Sequence, residues 1–236
     1  MFYKLSNTAD RKDIEKEFNV SFEFPRLYKT SPVINGLEEV TLPIITMEHP
    51  NQVSYSIWGL LPQSLEDNWK VFQNLTNTLN INVEHLDFKD ALYSEAMDKR
   101  RCLIITTGFF TSALYKGKMY PYHVYLSGQK PFGIAGVYNQ LEDGFLTCSI
   151  LIKKTNDSLK EIPNLLEYKP VIFDARDRMH WLNENFSYDA LKDLVSSHQT
   201  LQYHSHPVSK EYYDNDILYN KIMRSNAFND FLNTSE

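Results

Sequence analysis

Cysteine and glycine are scarce in this chain of 236 residues, at 2 and 8. Two cysteines, Cys102 and Cys148, are too few for a disulfide framework or a thiolate metal centre, so a reducing compartment and a protein without metal or cofactor are expected. A basic excess is also missing. Lys and Arg total 24 against 30 Asp and Glu, a net charge of −6, so the whole molecule is not drawn to phosphate and any nucleic-acid site must be a local patch. Long apolar runs are absent: the longest uncharged stretches, such as Asn51 to Leu65 and Cys102 to Tyr115, fall short of the ~20 apolar residues of a membrane span. The start, Met1-Phe2-Tyr3-Lys4-Leu5-Ser6, has no basic segment leading into an apolar one, so no secretory signal is read and Met1 is expected to begin the mature protein. A soluble, cytoplasmic protein with no membrane partner is the expectation. No phosphate-binding glycine loop, Gly-x-Ser-x-Gly elbow or His-Glu-x-x-His motif occurs.

Aromatic residues are plentiful: 15 Tyr, 14 Phe and 3 Trp suit half-buried strands. Apolar residues at 42% and charged residues at 23% match an ordinary globular domain and exclude disorder. Thr8 to Phe18 reads as a short amphipathic helix with Thr8 as its cap. Val40 to Ile45 and Val53 to Trp58 read as a hairpin about the Glu48-His49-Pro50-Asn51 turn. Helical spacing recurs over Leu65 to Leu79, Phe88 to Met97 (with Asp87 as a cap), Asp177 to Glu184, Tyr188 to Val195 and Ile217 to Met223. Strands are predicted at Arg101 to Thr106, Tyr122 to Leu126, Phe132 to Tyr138, Phe145 to Ile152 and Leu201 to Val208, the first four as an antiparallel meander. With no repeat and no linker, the chain reads as one α+β domain over 1–236 with a polar tail from about 225.

The segment Lys99-Arg100-Arg101-Cys102-Leu103-Ile104-Ile105-Thr106-Thr107-Gly108-Phe109-Phe110 runs basic residues into an apolar strand that ends at a glycine. By itself it describes charges at the mouth of a buried strand. It is accompanied, in order, by Ile57-Trp58-Gly59-Leu60-Leu61-Pro62, Asn80-Ile81-Asn82-Val83-Glu84, Tyr120-Pro121-Tyr122, Ala135-Gly136-Val137-Tyr138, Pro170-Val171-Ile172, Trp181-Leu182 and His206-Pro207-Val208-Ser209. In order and spacing this series resembles the SOS response-associated peptidase (SRAP) family of abasic-site processing proteins over nearly the whole chain. The resemblance implies a single α+β domain with a strongly bent, mainly antiparallel sheet and a groove for single-stranded DNA. It also implies a second-residue cysteine that attacks the opened sugar of an abasic site, helped by a glutamate and a histidine. A terminal cysteine suits this reaction because its amine forms an imine with the aldehyde and its thiolate closes onto that imine. The acid and the histidine move the protons.

Carried over residue by residue, the catalytic set is missing. Phe2 stands at the cysteine, Thr111 at the glutamate and Pro163 at the histidine, and the bulk of Phe2 should also retain Met1. Asn82 stands at an arginine of the family's Asn-x-Arg-x-Glu. Trp58, Asn80, Asn82, Glu84, Arg100, Arg101 and His206 remain as DNA-binding candidates, set against a role in maintaining the fold: Trp58 to stack a base, Asn80 and the two arginines to meet phosphates. The resemblance thus points to a catalytically degenerate protein binding single-stranded or abasic DNA without a covalent link. An enzyme forming a Schiff base through its N-terminal amine is the alternative. A third reading is a groove repurposed for a protein or small molecule, floored by Phe2, Phe109 and Phe110. His204 and His206, two apart on a strand, offer a metal pair without a third ligand nearby in sequence. Glu84, His85 and His123 offer a substitute acid/base pair if the fold brings them together.

Overall fold

The structure, a computed structural model, describes residues 3–63, 78–85, 91–115, 118–154, 168–197 and 201–209. The predicted helices at Leu65 to Leu79 (up to its last two residues) and Ile217 to Met223, the Asp87 cap and the polar tail lie outside the described residues. The strands in chain order are β1 (Lys4–Asn7), β2 (Ser21–Phe22), β3 (Ser31–Asn35), β4 (Thr41–Thr46), β5 (Gln52–Trp58), β6 (Asn80–Asn82), β7 (Arg101–Thr106), β8 (Gly108–Tyr115), β9 (Lys118–Leu126), β10 (Phe132–Gln140), β11 (Leu146–Lys154), β12 (Tyr168–Pro170), β13 (Ile172–Phe173) and β14 (Tyr203–Pro207). Four α-helices accompany them among the described residues: α1 (Arg11–Phe18), α2 (Ala91–Lys99), α3 (Ala175–Leu182) and α4 (Tyr188–Ser196).

The bend of the larger sheet amounts to closure. β10 pairs β7 and β11 antiparallel, β7 pairs β4, β4 pairs β5, and β5 returns to β11 through a parallel seam in which Ser56, Ile57 and Trp58 face Leu146, Thr147 and Cys148. The five strands form a ring, and side chains alternate between its inside and outside. Leu42, Ile44, Trp58, Cys102, Ile104, Ile134, Tyr138 and Ile150 belong to the core that fills it, and Ile45, Val53, Leu103, Ile105, Val137 and Leu151 belong to a second core with Ile14, Met97, Trp181 and Leu191 of the helices. Gly136 is required where β10 passes between two neighbours, because a Cβ there would strike Ile104 and lie 2.6 Å from the Ser149 carbonyl oxygen.

The second sheet runs β14-β9-β8-β1-β3, antiparallel throughout. It grows out of the ring at Thr106-Thr107, where the Thr106 hydroxyl and the Thr107 N–H both donate to the Ser6 carbonyl, at 2.5 and 2.8 Å. The expected meander is therefore split: β8 and β9 form one hairpin in this sheet, while β7, β10 and β11 stay in the ring. Strand β8 escaped the sequence reading because Gly108 looks like an end, yet the chain bends there and continues. Thr8 does not cap α1; its amide donates to Thr107 Oγ1 at 3.0 Å, and the helix begins after Asp10. Asp174 does cap α3, accepting from the amides of Arg176 and Asp177 at 2.9 Å each. Among the described residues no helix is long and apolar enough to cross a membrane.

Candidate nucleic-acid interface

The parallel pairing of β6 with β11 sets Asn80 opposite Ile150 and Asn82 opposite Ile152, which gathers several of the predicted residues at one end of the ring. Asn80 is buried and Asn82 half-buried, its Oδ1 accepting the Glu84 N–H at 3.0 Å. Glu84 is exposed, accepts the Lys154 amide at 3.4 Å and pairs with Lys154 Nζ at 3.7 Å. Trp58 stands beside this group but offers no face for a base. It is 0% exposed, its indole N–H donates to the Leu79 carbonyl at 3.1 Å, and its ring lies where a Cβ on Gly36 would have to go. Burying so large a ring in the ring's interior is its role here.

The two arginines separate at the junction of α2 and β7, Arg101 opening the strand and Arg100 preceding it. Arg100 is part-buried, donating to Asn139 Oδ1 and to Glu95 Oε1 at 3.0 Å each, and it holds the Glu95 carboxyl below the usual range. Asn139 in turn donates to the Leu61 carbonyl at 2.7 Å, which ties Arg100 to the loop after Trp58. Arg101 points inward and meets no phosphate. It is 0% exposed, and its guanidinium donates to the carbonyls of Trp181, Met97, Asp98 and Asn183 at 2.6 to 2.9 Å. Burial lowers its pKa from the ordinary value.

Thr111 lies in β8, 4% exposed, opposite Tyr122 of β9. Phe2 and Pro163 lie outside the described residues. Phe109 and Phe110 do not form one floor: alternation sends Phe109 into the main core with Leu5 and Val124, and Phe110 to the other face with Val33 and Val208. That other face holds a cluster which sequence reading touched only in part. His123 reaches across Gly108 to Ser6, its Nε2 2.7 Å from Ser6 Oγ. His206 lies directly opposite His123 on β14, the rings edge to face with centroids 5.4 Å apart. His123 also stacks on Phe110 and Tyr125, and Tyr125 on His204. Burial, then the neighbouring His206, pushes His123 down to about 3, and burial lowers His206. The spacing of His204 and His206 showed a shared face, but only the fold brings Ser6, 117 residues from His123, to the same place.

This cluster does not include Glu84, whose partners are on β11, so the predicted Glu84 and His123 acid/base pair is not assembled; the His85 side chain lies outside the described residues. Among the described residues no three His, Cys, Asp or Glu side chains gather as a metal-binding group. Part-buried Arg100 pairs with Glu95, and exposed Lys154 beside β6 pairs with Glu84.

The fold is shared with solved structures. A protein from Bacteroides thetaiotaomicron superimposes with a TM-score of 0.78 at 21% identity, covering 90% of this chain and 94% of that one. A protein from Bordetella bronchiseptica gives 0.71 at 16% identity, covering 88% and 99%, and a phage-related protein from the same organism gives 0.59 at 13%, covering 88% and 94%. No curated protein matches the chain. The family model described as SOS response associated peptidase (SRAP) matches residues 1–214, and the chain belongs to that family.

Proposed function

We propose that this protein is a catalytically degenerate SRAP member that binds single-stranded DNA, intact or carrying an abasic site, without a covalent link. Thr111 carries the reading. The resemblance puts Thr111 at the glutamate's place, and Thr111, on β8 opposite Tyr122, is a buried hydroxyl, which has no proton to give or take near neutral pH. The sequence adds Phe2 for the nucleophile and Pro163 for the histidine. Binding is supported by polar residues spread along β11, Asn80, Asn82 and Glu84 toward its C-terminal end and Arg100, held by Asn139 opposite Thr147, toward its start. Because Arg100 and Lys154 each have an acidic partner, affinity should sit in the non-specific range, roughly 1 to 100 μM at physiological salt.

The test is an anisotropy titration of labelled single strands, with and without one abasic site, at low and moderate salt, followed by borohydride. Salt-sensitive, reversible binding weakened in Arg100→Ala, with no trapped adduct, is the expected result. A borohydride-trapped adduct on the abasic strand would replace this reading with Schiff-base catalysis by an amine. Absence of binding at low salt would turn the groove over to a protein or small-molecule ligand.

A further inference from the structure

His206 presents a buried ring nitrogen, Nε2, with no hydrogen-bond partner among the described residues. A buried polar atom in that state is uncommon and calls for a physical account. Its neighbour across the strand pair is a second imidazole, His123, which meets the uncharged Ser6 hydroxyl. The titratable groups around the two rings are His204 on β14, Tyr125 on β9 and Lys4 on β1, two residues before Ser6; the β8 segment beneath them, Gly108 to Ser112, has none. Among the described residues no carboxylate acts on either ring. A proton added to either imidazole would therefore put a charge in a half-buried site with a second ring beside it and no counter-ion from those residues.

Among the described residues strand β14 is the outermost strand of its sheet, paired only with β9, while Tyr203 at its start packs on the main core. Its register with β9 runs from Tyr203 opposite Leu126 to Pro207 opposite Tyr122, flanked by the bonds Ser127 N–H to Gln202 carbonyl at 3.1 Å and Val208 N–H to Pro121 carbonyl at 2.9 Å. Beyond it, Val208 packs on Phe110 and Val33 in a small cluster separate from the main cores. Such an edge can detach without opening the ring. We propose that β14 is a strap released by protons: charging the facing His123 and His206 undocks it from β9 and uncovers Phe110 on β8, the strand that carries Thr111. The depressed proton affinity of both rings has the sign this requires, since the docked state refuses protons that the released state accepts.

Amide exchange of the full chain by NMR, corrected for intrinsic rates, tests this between pH 7.5 and 5.5. Protection at Tyr203 to His206 should fall at least about tenfold relative to Arg101 to Thr106, the change that one uncompensated proton brings for each pH unit below the ordinary imidazole value. In His206→Phe, which keeps an aromatic ring and removes the titration, most of that relative fall should disappear. Equal loss in β14 and β7, no loss in the wild type, or an undiminished loss in the variant would each overturn the proposal. Should His206→Phe fail to fold, His123→Phe reports on the other half of the pair under the same criteria.

Discussion

A methyl group on Gly108 would enter the space of the His123 ring and lie 2.7 Å from the Val124 carbonyl oxygen and 2.8 Å from Ser6 Oγ. Gly108→Ala should therefore displace His123 and cost about 1–3 kcal/mol in urea unfolding, as overpacking of a tight site does. Ser6→Ala, which leaves the His123 nitrogen without its partner, should cost about 1–3 kcal/mol. Because both act on one contact, the double variant should lose less than the two single losses added, and a value equal to that total would show the contact to be unimportant. The adjacent arginines give the opposite kind of contrast. Arg101→Met strips four backbone carbonyls of their donor and should cost about 3–5 kcal/mol, whereas Arg100→Met, which removes two side-chain partners at a part-buried site, should cost about 1–2 kcal/mol. Similar unfolding midpoints for the two variants would refute this division. In the sequence Arg100 and Arg101 look alike. The junction of α2 and β7 separates them, but the partners of Arg101 at Trp181 and Asn183 lie about 80 residues away, beyond any local pattern.

Elements were legible where residue type and environment agree. β7, β10 and β11 are β-branched runs and fall where the pattern puts them; α3 and α4 start at Asp174 and Ser187, residues suited to capping. β1, β3, β6 and β12 are short and mix polar residues with apolar ones, so pairing rather than composition makes them strands. Lys153 shows how such pairing hides a function from the sequence, where two adjacent lysines give no sign that one is turned inward. Lys153 Nζ donates to the carbonyls of Val195 and Ser197, at 2.8 and 2.7 Å, and so closes the C-terminal end of α4. Burial, then the neighbouring Lys169, pulls this amine down to about 8. Lys153→Met should cost about 1–2 kcal/mol and lower amide protection in the last turn of α4, leaving α3 unchanged. Equal loss in both helices would show that Lys153 supports the packing and not the helix end.

At the scale of the molecule, acid is the condition that opposes the fold most directly. The unfolded chain takes up protons on histidine from about pH 6.5 downward, while native His123 refuses its proton until about 3 and His206 is depressed in the same sense. Across that window the unfolded state binds more protons, so stability should fall as pH falls and be fully present above about 6.5. Urea midpoints measured from pH 7 to 4 check this: the decline should be shallower in His123→Phe, and a parallel decline would assign the acid sensitivity to other groups. The family and the bent sheet were readable at this scale from motifs in order, whereas closure was not. Closure depends on Ser56 meeting Leu146, and neither residue carries a sign of it. That seam also sets a clock for synthesis. At about 5–20 residues per second, the Ser56 to Trp58 end of nascent β5 waits roughly 5–18 s before β11 exists to pair with it, while β2 covers only Gln52 and Val53. The ring is thus a structure that the ribosome cannot complete in sequence order, and its final join is the step most exposed to a competing strand.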